Sequence, residues 1–218
     1  MKYKTYIFDF DFTLADASTG ITECANYALH KLGFQKRSHE EIRNTVGMTL
    51  NDIFSTLTGV QDRHLADLFA SYFINMADDI MTDNTYLFDD TIDVLRQIKN
   101  SGYKTAIVST KYRYRIEQAL EKYSIPELVD YIIGLEDVDT TKPSPEGLVK
   151  AIKRLDATNS SVLYVGDSMI DANTANNAEI DFGAVLTGTT TESEFQQLPH
   201  VYIAKSLTEL MTHVGLSV

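Results

Sequence analysis

The chain alternates between short, β-prone apolar runs that end abruptly in polar residues and stretches with helical spacing. This constrains its fold more than any other feature. Tyr6-Ile7-Phe8 gives way at once to Asp9-Phe10-Asp11-Phe12-Thr13, the pattern of a buried strand that delivers polar groups to a loop. The alternation resumes in the second half: helical spacing over 91–99 stops at Asn100-Ser101-Gly102, and 105–108 then reads as a strand. A helix over 116–122, a strand over 131–133, a helix over 145–155 and a strand over 162–165 follow. A helix over 171–177, strands over 182–185 and 201–203 and a helix over 207–214 complete the series. Such alternation predicts an α/β fold, a Rossmann-like parallel sheet with crossover helices.

Residues 18–83 break the pattern. Ile21, Ala25, Ala28 and Leu32 share one helical face, and Ile53 with Leu57, then Leu65, Leu68, Phe69, Tyr72 and Phe73, continue the spacing with no strand signal. Ser38 with Glu41 has the form of a capping box, and Thr49 before Leu50-Asn51-Asp52 marks another helix start. The predicted organisation is an α/β core domain over 1–16 plus 84–218, interrupted by an α-helical insertion over 17–83.

With 218 residues, 44% of them hydrophobic, the chain can bury a sizeable core, which excludes a disordered chain or a mini-protein. Nineteen Lys and Arg against 31 Asp and Glu leave a net charge of −12, unsuited to a nucleic-acid backbone. Cys24, the single cysteine, reads as a small core residue and points to a reducing compartment. The N-terminal residues meet acid too soon for a signal-peptide core, and no apolar run approaches the ~20 residues of a membrane span. The expectation is a soluble, cytoplasmic protein, a monomer or weak homodimer, with no nucleic-acid or membrane partner. His30, His39, His64, His200 and His213 show no metal-ligand spacing.

Open parallel sheets bind ligands beyond the carboxyl ends of their strands, so the residues that follow each strand carry the functional signal. Asp9 and Asp11 follow the first, Ser109-Thr110-Lys111 the second, Lys142-Pro143 lie beyond the third, and Gly166-Asp167-Ser168 with Asp171 follow the fourth. Carboxylates converging at one sheet edge repel one another unless a cation neutralises them, and all-oxygen ligation suits Mg²⁺. A lysine and a hydroxyl beside that cation make a site for a phosphoryl group.

This ordered set resembles the haloacid dehalogenase-like superfamily over nearly the whole chain. Asp9-Phe10-Asp11-Phe12-Thr13-Leu14 is similar to its first motif, Asp-x-Asp-x-Thr. Ser109 is similar to its second motif, Lys142 to its third, and Gly166-Asp167-Ser168 with Asp171 to its fourth. The helical insertion is similar to the family's small cap, near phosphoglycolate phosphatases, pyrophosphatases and β-phosphoglucomutases. The resemblance implies that Asp9 is the nucleophile of an aspartyl-phosphate mechanism and a Mg²⁺ ligand. It makes Asp11 the acid/base, with its main-chain carbonyl on the metal, and has Asp167 complete the metal site. Ser109, Thr110 and Lys142 hold phosphoryl oxygens, Thr13 fixes the loop, and Asp171 binds the metal through water or orients Lys142. Asp171 also reads as a helix N-cap and Thr110 as structural, while Lys111 reads either as lining the mouth of the site or as a solvated lysine. Arg43 lies where relatives contact substrate and is the cap candidate, its other reading being an exposed helical arginine.

Three departures stand out: Phe12 where glycine is frequent, Leu87-Phe88-Asp89-Asp90 where relatives often turn on Pro-Gly, and Ile21 where mutases carry a histidine. The expected activity is a Mg²⁺-dependent phosphatase acting on a small phosphorylated metabolite, of the phosphoglycolate kind. The alternatives are an inorganic pyrophosphatase, a β-phosphoglucomutase-like mutase and a non-catalytic phosphate-binding module, the last of which has no need of an acid at Asp11.

Overall fold

The computed structural model describes residues 2–216. Its first strand, β1 (Thr5–Phe8), is buried along its whole length. A two-residue strand, β2 (Ala15–Asp16), leads into α1 (Ser18–Lys31), α2 (His39–Arg43), α3 (Leu50–Thr58) and α4 (Arg63–Ile80), and β3 (Tyr86–Leu87) returns beside β2. The alternating part follows as α5 (Thr91–Asn100), β4 (Lys104–Val108), α6 (Arg113–Lys122), β5 (Tyr131–Ile133), α7 (Glu146–Arg154) and β6 (Val162–Gly166). It ends with α8 (Met169–Asn177), β7 (Asp181–Val185), α9 (Glu192–Phe195), β8 (Tyr202–Ala204) and α10 (Leu207–His213).

The main sheet has six strands in the order β5-β4-β1-β6-β7-β8, every neighbouring pair parallel. Its order reverses at β1, and the register there positions the site. Phe8 stands level with Ile107 on one side and Val165 on the other, so Asp9, Ser109 and Asp167 leave the sheet at the same edge.

Helices cover both faces, which is why the strands read as continuous apolar runs. Alternate side chains go to opposite cores. Tyr6, Phe8, Ile107, Leu163 and Val165 pack with Leu95, Ile116 and Leu210 of α5, α6 and α10. Ile7, Ala106, Val108 and Tyr164 pack with Leu148 and Ala172 of α7 and α8.

The chain divides into two compact units: the first runs to Ala15 and resumes at Leu87, and the second is Asp16–Tyr86. The second unit buries Ile21, Cys24, Ala25, Leu29, Ile42, Phe54 and Phe69 among its four helices. The capping box of Ser38 and Glu41 starts α2, and the Thr49 side chain caps α3. Asp16 Oδ1 accepts from the Ser18 amide at 2.7 Å, fastening the entry to α1. Among the described residues no helix is long and apolar enough to cross a membrane.

The structure differs from the periodicity at element ends. β2, β3 and the four-residue α9 are too short to show a period. Helix α8 begins at Met169 because Ser168, not Asp171, is its N-cap; Asp171 is the reciprocal partner in the third helical position.

Ile7 is fully buried at the centre of the sheet. Ile7→Ala should lower unfolding free energy by about 2–5 kcal/mol in urea titration, whereas truncation of exposed Val149 to Ala should stay within about 0.5 kcal/mol.

Candidate active site

Asp9 continues β1, and its amide donates to the Val165 carbonyl at 2.9 Å. Its side chain turns into a buried cluster in which single oxygens of Asp9, Asp167 and Asp171 lie within 4.8 Å of one another. Lys142 is the cation of that cluster. Its Nζ lies 2.6 Å from Asp171 Oδ1, 3.0 Å from Asp9 Oδ1 and 3.2 Å from the Tyr164 hydroxyl.

Asp171 is saturated. Lys142 and the Tyr164 hydroxyl, at 2.8 Å, both donate to Oδ1, while Ser168 donates to Oδ2 from its hydroxyl at 2.5 Å and its amide at 3.2 Å. The contact is tight enough that a Cβ on Gly166 would stand 2.5 Å from that of Asp171. Asp167 is held differently: Thr13 Oγ1 donates to its Oδ1 at 3.0 Å, and a Cβ on Gly188 would fall 2.0 Å from its Oδ2. Only glycine at 188 admits the loop after β7 so close to this carboxylate.

Burial acts on the charges of Asp9, Asp167 and Lys142. It raises the Asp9 carboxyl to about 6, with repulsion from Asp171 adding to the effect and Lys142 opposing it. Asp167 rises well above the usual carboxylate range, first through burial and then through Asp171 and Asp9. For Lys142 burial works against the charge, but Asp171 and Asp9 outweigh it and hold the ammonium above its ordinary value. Asp9 Oδ1 is buried without a hydrogen bond of good geometry, since Lys142 approaches it off-line. Hard oxygen donors, carboxyls disfavoured as bare anions and an orphaned buried oxygen fit a small divalent cation such as Mg²⁺. Asp9 and Asp167 are the carboxylates with capacity for it.

The loop after β1 carries the second acid. Both Asp11 oxygens take Lys111 Nζ, each at 3.0 Å, and the two side chains are 12% and 6% exposed. Lys111 is therefore a buried ion-pair partner rather than a solvated lysine. Phe12, next in the loop, has φ +59°, the left-handed region where glycine is at home, which accounts for the usual residue there. The Phe12 amide donates to the Ala15 carbonyl at 2.7 Å, the Phe12 carbonyl accepts from the Thr187 hydroxyl, and the ring is buried. Phe12→Gly would relieve about 1–2 kcal/mol of backbone strain but forfeit about 3–5 kcal/mol of ring packing.

Ser109 is buried, its amide donating to the Ile133 carbonyl at 3.1 Å and its hydroxyl hydrogen-bonded to the Asp9 carboxyl. Thr110 lines a small interior cavity with Ser109 and Lys142. Arg43 belongs to the helical unit, where it is half-buried in the last turn of α2. The core thus brings together Asp9, Ser109, Lys142, Asp167 and Asp171, with Thr13 on Asp167 and Asp11 paired to Lys111.

Sequence reasoning missed Tyr164, Thr187 and Gly188. Tyr164 had a signal, being the one polar-tipped side chain in the apolar strand β6. Thr187 and Gly188 had none, because only the fold brings the β7 loop to the Asp167 carboxylate.

A parallel α/β sheet with acids and a lysine gathered at its switch point is an arrangement suited to handling phosphoryl groups. Residues 6–185 match the haloacid dehalogenase-like hydrolases, and the chain belongs to that family. The pyrophosphatase PpaX of Bacillus thuringiensis (strain Al Hakam) is 29% identical over 185 residues, spanning 85% of this chain and 84% of that protein. A Bacteroides fragilis structure assigned as a haloacid dehalogenase-like hydrolase superposes with TM-score 0.93 at 44% identity, covering 96% of this chain and 100% of the other. One from Lactobacillus delbrueckii subsp. bulgaricus, assigned as a phosphoglycolate phosphatase, gives 0.87 at 25% identity with complete coverage of both chains.

The raised carboxyls set a pH signature. Without metal the folded state binds more protons than the unfolded one between 3.8 and about 6, so stability falls as pH rises through that window. Mg²⁺ should therefore raise the thermal midpoint more at pH 7.5 than at pH 5. Asp167→Asn should keep the metal-free midpoint at or above wild type while abolishing the Mg²⁺ increment, as read by scanning calorimetry in EDTA and in Mg²⁺.

Proposed function

We propose that this hydrolase is a Mg²⁺-dependent phosphatase of small phosphorylated metabolites, working through an aspartyl-phosphate on Asp9. The observation that carries the reading is the pairing of functions at one sheet edge. Asp9 and Lys142 lie 3.0 Å apart beside Asp167, while a second acid, Asp11, is held separately by Lys111.

Mg²⁺ held by Asp9, Asp167 and the Asp11 main-chain carbonyl would supply positive charge to the phosphoryl oxygens and neutralise the acid cluster. Asp9 attacks phosphorus with its free oxygen, and the bond from phosphorus to the leaving oxygen breaks. Asp11 gives its proton to that oxygen. It then takes a proton from the water that attacks the acyl phosphate, releasing orthophosphate and restoring Asp9. Ser109, Thr110 and Lys142 hold the phosphoryl oxygens, the lysine offsetting charge as it builds up. Asp171, with all its acceptor positions taken, orients Lys142 rather than binding the metal. The helical unit acts as the cap that restricts substrates to small ones, with Arg43 its candidate contact, and the cytoplasm is the compartment in keeping with a single, buried cysteine, Cys24.

Phosphoglycolate-like monoesters are the leading substrates. Inorganic pyrophosphate is the second reading, favoured by the similarity to PpaX over most of both chains. The mutase reading is weaker, because Ile21 is buried in the helical core where a mutase carries its histidine.

Phosphate release from a panel of small esters and pyrophosphate, with Mg²⁺ and with EDTA, tests the proposal. Turnover should require Mg²⁺ and vanish in Asp9→Asn. Asp11→Asn should lose about 10²–10⁴-fold in kcat while still binding orthophosphate. Wild-type turnover in EDTA, or in Asp9→Asn, would remove the mechanism.

A further inference from the structure

The phosphatase reading uses Asp11 but leaves Lys111 without a task. Its side chain is 6% exposed, and its ammonium sits on both Asp11 oxygens at 3.0 Å and lies 5.7 Å over the ring of fully buried Phe10. Among the described residues no other acceptor reaches it. Its main chain is anchored as well: the Lys111 carbonyl accepts from the Leu135 amide at 3.0 Å, and its amide donates to Ser109 Oγ at 3.3 Å. The lysine is thus built into the site.

We infer that Lys111 is a specificity residue that selects phosphoryl donors whose leaving group carries a negative charge close to the leaving oxygen. The inference rests on the phosphatase reading and on one geometric consequence of it. A leaving oxygen must come within hydrogen-bond reach of an Asp11 oxygen to be protonated, and each of those oxygens already touches Lys111. Turning one of them to the substrate strips the buried ammonium of half its coordination. A second phosphate, or a carboxylate one carbon away, restores the lost contact with a charge-assisted hydrogen bond. An uncharged alkyl group leaves the ammonium buried and under-coordinated. The ligand class is therefore a phosphoryl group joined through its leaving oxygen to an anion, with inorganic pyrophosphate and 2-phosphoglycolate as its simplest forms.

The test compares Lys111→Met with wild type on two charged donors, pyrophosphate and phosphoglycolate, and two uncharged-leaving-group donors, methyl phosphate and ethyl phosphate. Each comparison stays within one substrate, so differences in intrinsic leaving ability cancel. Lys111→Met should lose about 10–150-fold in kcat/KM on the charged donors, the worth of a hydrogen bond to a charged group. On the uncharged donors the change should stay within about 5-fold. Lys111→Arg should recover most of the preference, and thermal melts of each variant in Mg²⁺ verify folding.

An equal loss on all four donors would make Lys111 a support for Asp11 alone and overturn the inference, as would an unchanged preference. Wild-type turnover of the alkyl phosphates without turnover of the charged donors would overturn it while leaving the phosphatase reading intact. Absence of metal-dependent turnover on all four, in folded protein, would take both readings down together.

Discussion

The site depends on the ion-paired core made by Lys142 and the carboxylates buried around it. Burial alone drives Asp9 and Asp167 toward their neutral forms, and repulsion from Asp171 adds to that pressure. The single ammonium, held at 2.6 Å by Asp171 and 3.0 Å by Asp9, makes the arrangement tolerable without making it neutral. Buried charge left uncompensated costs several kcal/mol, so the excess is stable chiefly as a place for a cation.

The sheet allows this arrangement because Asp9 and Ser109 are anchored through their main chains. Asp9 is fixed through its amide on the Val165 carbonyl, Ser109 through its amide on the Ile133 carbonyl, and Asp171 by reciprocal capping with Ser168 at the start of α8. The first two are main-chain bonds indifferent to side-chain charge, whereas that of Asp171 runs through its carboxylate. Substitution of Asp9 or Ser109 should therefore leave the frame largely in place. Gly166 and Gly188 mark where that frame closes in, since a methyl group at either would overlap the Asp171 or Asp167 side chain.

The parallel sheet and its crossover helices were legible in the sequence because strands buried on both faces show as apolar runs, and their helices keep a 3.6-residue period. The register that levels Phe8 with Ile107 and Val165 was not legible, although the polar residue after each run pointed to one edge. Asp9, Ser109, Lys142, Asp167 and Asp171 were readable for that reason. Lys111 was misread because nothing local distinguishes a solvated lysine from one folded over an acid 100 residues away. Thr187 and Gly188 act through a carbonyl and through the absence of a side chain, and neither leaves a periodic or compositional trace. Phe12 is the converse case: its departure from glycine was visible, but only φ +59° explains why glycine suits the position.

Comparison of the two buried lysines separates holding from selecting. Lys142 has Asp171, Asp9 and Tyr164 as partners, so a phosphoryl oxygen can take one position while the others keep the ammonium in place. Among the described residues Asp11 is the one carboxylate on Lys111, and any event that engages Asp11 must disturb it. A cation with several partners is suited to a constant task, such as holding a group that every substrate shares. A cation with one partner is sensitive to whatever replaces that partner, and the replacement is the part of the substrate that differs from one phosphate ester to the next. In the proposed mechanism the common phosphoryl group and the variable leaving group would thus be met by lysines whose coordination differs in the sense each task requires.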